Sequence, residues 1–75
     1  MIYETVAKLI ADQLKIDVKE VTPDKRLVED LKADSANIMV MIMDMEDTFN
    51  IAVEDDAVNT LRTVDDVVKY IEAHQ

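Results

Sequence analysis

Apolar residues at Ile2, Val6, Leu9, Ile10 and Leu14 fall close to helical spacing, while Glu4, Lys8, Asp12 and Lys15 take the opposite side. This pattern predicts an amphipathic helix over 2–14, with Glu4 and Lys8 as a favourable i,i+4 pair. A second stripe is cleaner. Ile38, Met41, Ile42, Met45 and Phe49 recur at i, i+3, i+4, i+7 and i+11, which makes one continuous apolar face with Asn50 as its stop. A third runs through Val64, Val67, Val68 and Ile71, with Tyr70 beside it, Thr63 as N-cap and Asp65 and Asp66 in the first turn. Residues 72–75 are expected to fray outward.

The segments between these stripes are less periodic. In 16–34, Ile16, Val18, Val21, Leu27, Val28 and Leu31 follow no single period, and Thr22-Pro23 reads locally as an N-cap with proline at the first helical position. Taken alone, 23–31 is a short helix. A structureless stretch of this length would be unusual, so the expectation is a long connection containing a helical turn and pinned to the core by Val21, Leu27 and Leu31. Glu54 to Asn59 form one or two helical turns, with acids at the positive end of the helix dipole. No segment carries a strand signal. The predicted fold is therefore all-α: a small four-helix bundle of three longer helices and one short one, with a long loop between helices 1 and 2 and residues 1–75 as one domain.

Composition narrows what such a bundle can do. The 75 residues include no cysteine, which excludes disulfides and thiolate metal sites, and no glycine, so every tight connection lacks the residue best suited to positive φ. The longest apolar run, 36–43, contains Asn37 and is far too short to span a membrane. The N-terminal residues show no secretory signal pattern. The net charge of −9 repels phosphate backbones and argues against nucleic acid as a partner. That charge is uneven. From Ala33 to Leu61 there are seven acids (Asp34, Asp44, Glu46, Asp47, Glu54, Asp55, Asp56) and no Lys or Arg. Such a segment steers basic partners, and it also reads as a solvated surface that aids solubility; the two are compatible.

Candidate chemistry is sparse. A calcium loop needs acids at alternate positions and a glycine, and neither is present. Serine hydrolysis at Ser35 would need a base, and the one histidine, His74, lies next to the C-terminus. No Gly-rich phosphate loop exists, and the polar positions of the second helix are not basic enough for an anionic lipid surface. Ser35 itself remains. By helix grammar it is an N-cap, or Asp34 is the cap and Ser35 opens the first turn.

The sequence Val28-Glu29-Asp30-Leu31-Lys32-Ala33-Asp34-Ser35, followed by Met45-Glu46-Asp47-Thr48-Phe49, resembles the acyl carrier protein family. Gln13-Leu14, Glu20-Val21-Thr22, Thr63-Val64 and Tyr70-Ile71 extend the resemblance over essentially the whole chain. The resemblance implies that Ser35, flanked by Asp34, carries a 4′-phosphopantetheine arm taken from coenzyme A by a phosphopantetheinyl transferase. The arm's thiol would hold acyl groups as thioesters, so a cysteine-free protein that is not an enzyme could serve thiol chemistry. It further implies an apolar cavity for the acyl chain, lined here by Ile38, Met41, Ile42, Met45, Phe49, Leu61 and Val67; ordinary core packing is the alternative for each.

Three departures stand out. Asp-Ser-Leu is replaced by Asp-Ser-Ala followed by Asn37, the glycine usual three residues before the serine is Lys32, and residues 36–43 lack the acids with which the family's second helix meets basic partners. The inward stripe leaves Ala36, Met39, Val40 and Met43 outside it, and only Asp44, Glu46 and Asp47 as charges on the helix. The expectation is a partner-docking surface with more apolar contact than usual; the alternative is that the helix is rotated or the loop covers the patch. Acyl-transfer and synthase enzymes with basic or apolar patches are the expected partners of a monomeric, cytoplasmic chain, with an organellar matrix or stroma as the alternative location. The leading reading is a carrier in fatty-acid or related biosynthesis. The alternatives are a specialised carrier of a polyketide, aminoacyl or lipid-modification pathway, and an unmodified helical interaction module.

Overall fold

The computed structural model describes residues 2–75. Helix α1 spans Ile2–Leu14, α2 Ser35–Phe49, α3 Asp55–Val58 and α4 Val64–His74, and a single 3-10 turn at Val18–Glu20 lies in the first connection. The bundle is organised around α1, which packs against both α2 and α4. Its buried residues are Val6, Ala7, Ile10 and Ala11. The two alanines escape a hydrophobic-stripe reading because they are small, and small residues are what let neighbouring helices come close. From α2 the core takes Met41, Ile42 and Met45, and from α4 it takes Val64, Val67, Val68 and Ile71. Ile38 and Phe49, at the two ends of the α2 stripe, are only half-buried.

The connection 15–34 supplies as many core residues as α1 does: Val21, Leu27, Leu31 and Ala33 are all buried. Its helical turn lies ahead of Pro23 rather than after it. Asp17 caps that turn by accepting the Lys19 N–H at 2.9 Å. The Thr22-Pro23 pair opens no helix. The Lys25 N–H closes a turn onto the Thr22 carbonyl at 3.1 Å, and the chain then pairs with the start of α4. Leu27 N–H donates to the Arg62 carbonyl at 2.8 Å, Val64 N–H to the Lys25 carbonyl at 3.0 Å, and Asp65 N–H to the Pro23 carbonyl at 3.0 Å. Arg26 and Thr63 thereby form an isolated antiparallel bridge, a non-local pairing that no local pattern announces. Tyr3 adds a tie from α1, its hydroxyl donating to the Val21 carbonyl at 2.6 Å. On the outer side Arg26 meets Glu29 at 3.4 Å and Asp30 at 3.3 Å. The Arg26 backbone N–H, and then its guanidinium, hold the Asp30 carboxyl below the usual range.

Without glycine, three other residues take the left-handed conformation: Lys15 (φ 58°), Lys32 (φ 63°) and Asn50 (φ 55°). Lys15 and Asn50 end α1 and α2 in the same way. The next N–H turns back to a carbonyl five residues earlier, Ile16 to Ala11 at 3.0 Å and Ile51 to Glu46 at 3.2 Å. Asparagine tolerates this geometry, whereas lysine pays for its Cβ. At Lys32 the chain reverses so that Ala33 N–H reaches the Leu27 carbonyl at 2.9 Å. The glycine of the resembled family at this position therefore has a conformational reason. At the other end of the chain α4 runs on to His74 instead of fraying at residue 72. The His74 ring stacks on Tyr70 with centroids 4.0 Å apart, and its Nδ1 lies 2.8 Å from the Tyr70 carbonyl.

Replacing Lys32 with glycine removes the Cβ penalty. The expected gain is about 1 kcal/mol, or a rise of about 4–8 °C in Tm for a domain of this size. Lys32→Ala, which loses the same charge without the conformational relief, is the control and should show no such gain. Thermal unfolding of the two variants beside the wild type checks this, and equal Tm values for Gly and Ala would contradict it.

Candidate functional site at the start of the second helix

Buried Ala33 and the Lys32 reversal bring the chain to Asp34, whose extended backbone (φ −99°, ψ −179°) makes it the N-cap of α2. Its Oδ1 accepts the Asn37 N–H at 2.8 Å, and its own N–H donates to Asn37 Oδ1 at 3.2 Å. This is a reciprocal capping box with asparagine where glutamate or glutamine is usual. Asn37, which stood out in the sequence only as a departure, thus has a structural task. An Asp-x-x-Asn spacing ahead of an apolar stripe was the signal that would have shown it.

The cap decides the position of Ser35. With Asp34 as N-cap, Ser35 is the first helical residue, is exposed, and its hydroxyl has no hydrogen-bond partner among the described residues. The N–H groups of Ser35 and Ala36 precede the first intrahelical bond and likewise have no acceptor. A free hydroxyl therefore stands beside two free donors at the positive end of a long helix, a favourable place for a phosphate ester.

Ser35 opens onto a cleft of about 510 Å³. Ile38 and Met39 of α2 form one wall, Val28 and Glu29 of the first connection another, and Val58, Asn59, Leu61 and Arg62, from α3 and the segment after it, the third. Beneath it is an interior void of only about 10 Å³, bounded by Ile10, Leu27, Ile38, Met41, Ile42, Met45, Leu61 and Val67. Ile38 and Leu61 line both spaces, which therefore adjoin at these two residues. Six of the seven residues expected to line an acyl cavity thus surround this void, which has room for about one water. Phe49, the last residue of α2, packs half-buried against the core and does not line it. Ile10 and Leu27 complete the lining from α1 and the connection, and α2-centred reasoning missed them.

On the outer side of α2, Met39, Val40 and Met43 are 55%, 42% and 59% exposed, and Ala36 is exposed as well. The helix is not rotated and the loop does not cover this strip. Asp47 is exposed and Asp44 half-buried. Glu46 has a task inside the fold, because its Oε2 accepts the Val53 N–H at 2.9 Å and fixes the chain after α2. His74 lies in a separate depression with Thr60, Asp66 and Tyr70, a lining that does not include Ser35, so the two do not form a nucleophile–base pair. No cluster of metal-ligating side chains occurs among the described residues, and no helix is long and apolar enough to cross a membrane.

Known proteins resemble this chain in sequence and in fold. A family model described as "Phosphopantetheine attachment site" matches residues 4–71. The chain is 40% identical over 73 residues to an acyl carrier protein of Helicobacter hepaticus, covering 97% of this chain and 96% of the other. It is 48% identical over 67 residues to one from an Exiguobacterium species, covering 89% and 85%. Among solved structures it superposes on an acyl carrier protein from Enterococcus faecalis with a TM-score of 0.84, at 30% identity and covering 99% of this chain and 94% of that one. A putative acyl carrier protein from Mycobacterium tuberculosis gives a TM-score of 0.92 at 29% identity, covering 97% of each chain.

The division of labour between the first two residues of the site predicts opposite mutational outcomes. Asp34→Ala removes the cap and should cost about 1 kcal/mol in urea unfolding, whereas Ser35→Ala should stay within about 0.5 kcal/mol of the wild type. A larger loss at Ser35 than at Asp34 would contradict the assignment of the cap.

Proposed function

The chain belongs to the acyl carrier protein family, and from that premise we propose that Ser35 is the residue bearing its 4′-phosphopantetheine. The family's prosthetic group supplies, when bound, a terminal thiol that holds acyl groups as thioesters. The observation that carries the Ser35 assignment is the capping box: because Asp34 and Asn37 satisfy the helix start between them, the Ser35 hydroxyl is left free and exposed at the mouth of the cleft. The residues fit the group. The free N–H groups of Ser35 and Ala36 are placed for a phosphodiester, and the mostly apolar walls of the cleft suit the body of the arm.

The protein's own task is to bind, shield and present. Ile38 and Leu61 line both the cleft and the interior void, and Met41 and Met45 supply flexible side chains around that void. In this reading an acyl chain enters past Ile38 and Leu61 and is accommodated by repacking, since about 10 Å³ holds no alkyl chain as it stands. The chain performs no catalysis itself. Its work lies in acyl metabolism, with fatty-acid biosynthesis the leading pathway, in the cytoplasm or an equivalent compartment.

The phosphopantetheinyl transferase and the acyl-handling enzymes dock, in this reading, along α2. Ala36, Met39, Val40 and Met43 provide an uncharged strip next to Ser35, and Asp44 and Asp47 lie further along the helix. Glu46 contributes less, being engaged with Val53. Partners are accordingly held by apolar contact near the arm, with electrostatic steering from the distal acids.

Incubation with coenzyme A and a broad-specificity phosphopantetheinyl transferase, followed by intact-mass analysis, should show a gain of one phosphopantetheine that disappears in Ser35→Ala; a gain that survives the substitution would overturn the assignment. For docking, Met39→Glu should weaken partner binding tenfold or more, about 1.4 kcal/mol, with Tm unchanged, because Met39 is exposed. Wild-type affinity should fall only weakly with ionic strength, and a steep loss in salt would sink the apolar-docking account.

A further inference from the structure

Attaching a phosphodiester at Ser35 adds negative charge to the most acidic part of the chain, since Ala33–Leu61 carries seven acids and no base. The Asp34 carboxylate is its neighbour in sequence, and Glu29 lies on the cleft wall. The helix start offers only two free N–H groups, because Asp34 already takes that of Asn37. The nearest lysine in sequence, Lys32, does not face this cleft. With Lys19 and Lys25 it lines a different depression. Arg62 is the one cation on the cleft wall that Ser35 shares.

Arg62 is also held in place without being used up. Its carbonyl accepts the Leu27 N–H at 2.8 Å, and its N–H reaches the Thr60 carbonyl at 3.1 Å and Asp66 Oδ2 at 3.2 Å. The adjacent Thr63 forms the bridge with Arg26. Its guanidinium, by contrast, has no ion-pair partner among the described residues. Glu29, across the same cleft, is engaged by Arg26 at 3.4 Å, and the Asp66 carboxylate accepts the backbone N–H groups of Arg62 and Thr63. A fixed backbone carrying a planar, multi-donor cation without an ion-pair partner among the described residues, in the cleft that the attachment hydroxyl shares, is an arrangement suited to a phosphate.

We infer that Arg62 is the counterion for the phosphodiester at Ser35, and that it seats the proximal part of the arm in the cleft against Val28, Val58 and Leu61. The inference rests on Ser35 being the attachment point, so the experiment first confirms complete loading by intact mass. Methyl and phosphorus NMR spectra are then compared between unloaded and loaded forms of the wild type, Arg62→Gln and Arg62→Lys. In the wild type, loading should shift the Val28, Val58 and Leu61 methyl resonances, and added salt should reduce the shifts. In Arg62→Gln those shifts should fall by about half or more, and the phosphorus resonance should lose its salt dependence. Arg62→Lys, which keeps the charge but not the fork, should fall between the two. The Tm of the unloaded protein should be the same in all three, because the guanidinium has no ion-pair partner among the described residues. Equal shifts in all three proteins, a lysine variant no better than the glutamine one, or no methyl shift in fully loaded wild type overturns the role of Arg62. Failure to take up the arm at all overturns the Ser35 assignment, and this inference with it.

Discussion

Three backbone hydrogen bonds fasten the connection between α1 and α2 to the start of α4: Leu27 to Arg62, Val64 to Lys25 and Asp65 to Pro23. Most of what matters in this molecule depends on them. They convert a long, aperiodic segment into a wall of the core, with Val21, Leu27, Leu31 and Ala33 buried beneath it. They also set where the chain stands when it reaches Asp34, and so where α2 begins. The same bonds hold Arg62, which lines the cleft that Ser35 shares. A non-local pairing of this kind satisfies polar groups that a buried connection would otherwise leave open. It therefore joins the hydrogen-bond requirement of the backbone to the placement of the site.

The helix start adds a second constraint. A serine before a helix is ordinarily a cap, and a capping serine has its hydroxyl engaged. Here the Asp34–Asn37 box takes over that task, which leaves Ser35 structurally dispensable and chemically available. The price of a glycine-free chain appears next to it, in the left-handed Lys32 that turns the chain into the cap. Fold and site are distinguishable here residue by residue: Lys32, Asp34 and Asn37 build the position, and Ser35 occupies it.

The three long helices were legible from their apolar stripes because amphipathic periodicity is a direct imprint of burial. The same stripe left Ala36, Met39, Val40 and Met43 outside it but could not distinguish an exposed strip from one covered by the loop; only the packing shows that it is exposed. Ala7, Ala11 and Ala33 were not legible, since a small side chain reports close packing only when its neighbour is known. Thr22-Pro23 misled because its local helix-start grammar was overruled by pairing with residues some forty positions away. The six void-lining residues followed from the α2 stripe and the family resemblance together; Ile10 and Leu27 required the packing of α1 and the connection. Arg62 carried no sequence signal of its own, because its significance comes from sharing a cleft with Ser35 and from having its neighbouring acids engaged elsewhere.

Charge plays little part in holding the fold. Among the described residues no polar or charged side chain is buried, and the three ion pairs, Arg26 with Glu29 and with Asp30 and Lys69 with Asp65, are all on the surface, where each contributes about 0–1 kcal/mol. The apolar core, the caps and the pairing of the connection carry the structure. On this view the pairing is part of the fold itself and forms the frame that positions Ser35. Native-state amide hydrogen exchange tests it most directly. The Leu27, Val64 and Asp65 N–H groups should be protected to nearly the same degree as the core of α1. Exchange of these three amides at the rate of a solvated loop, while α1 remains protected, would contradict it.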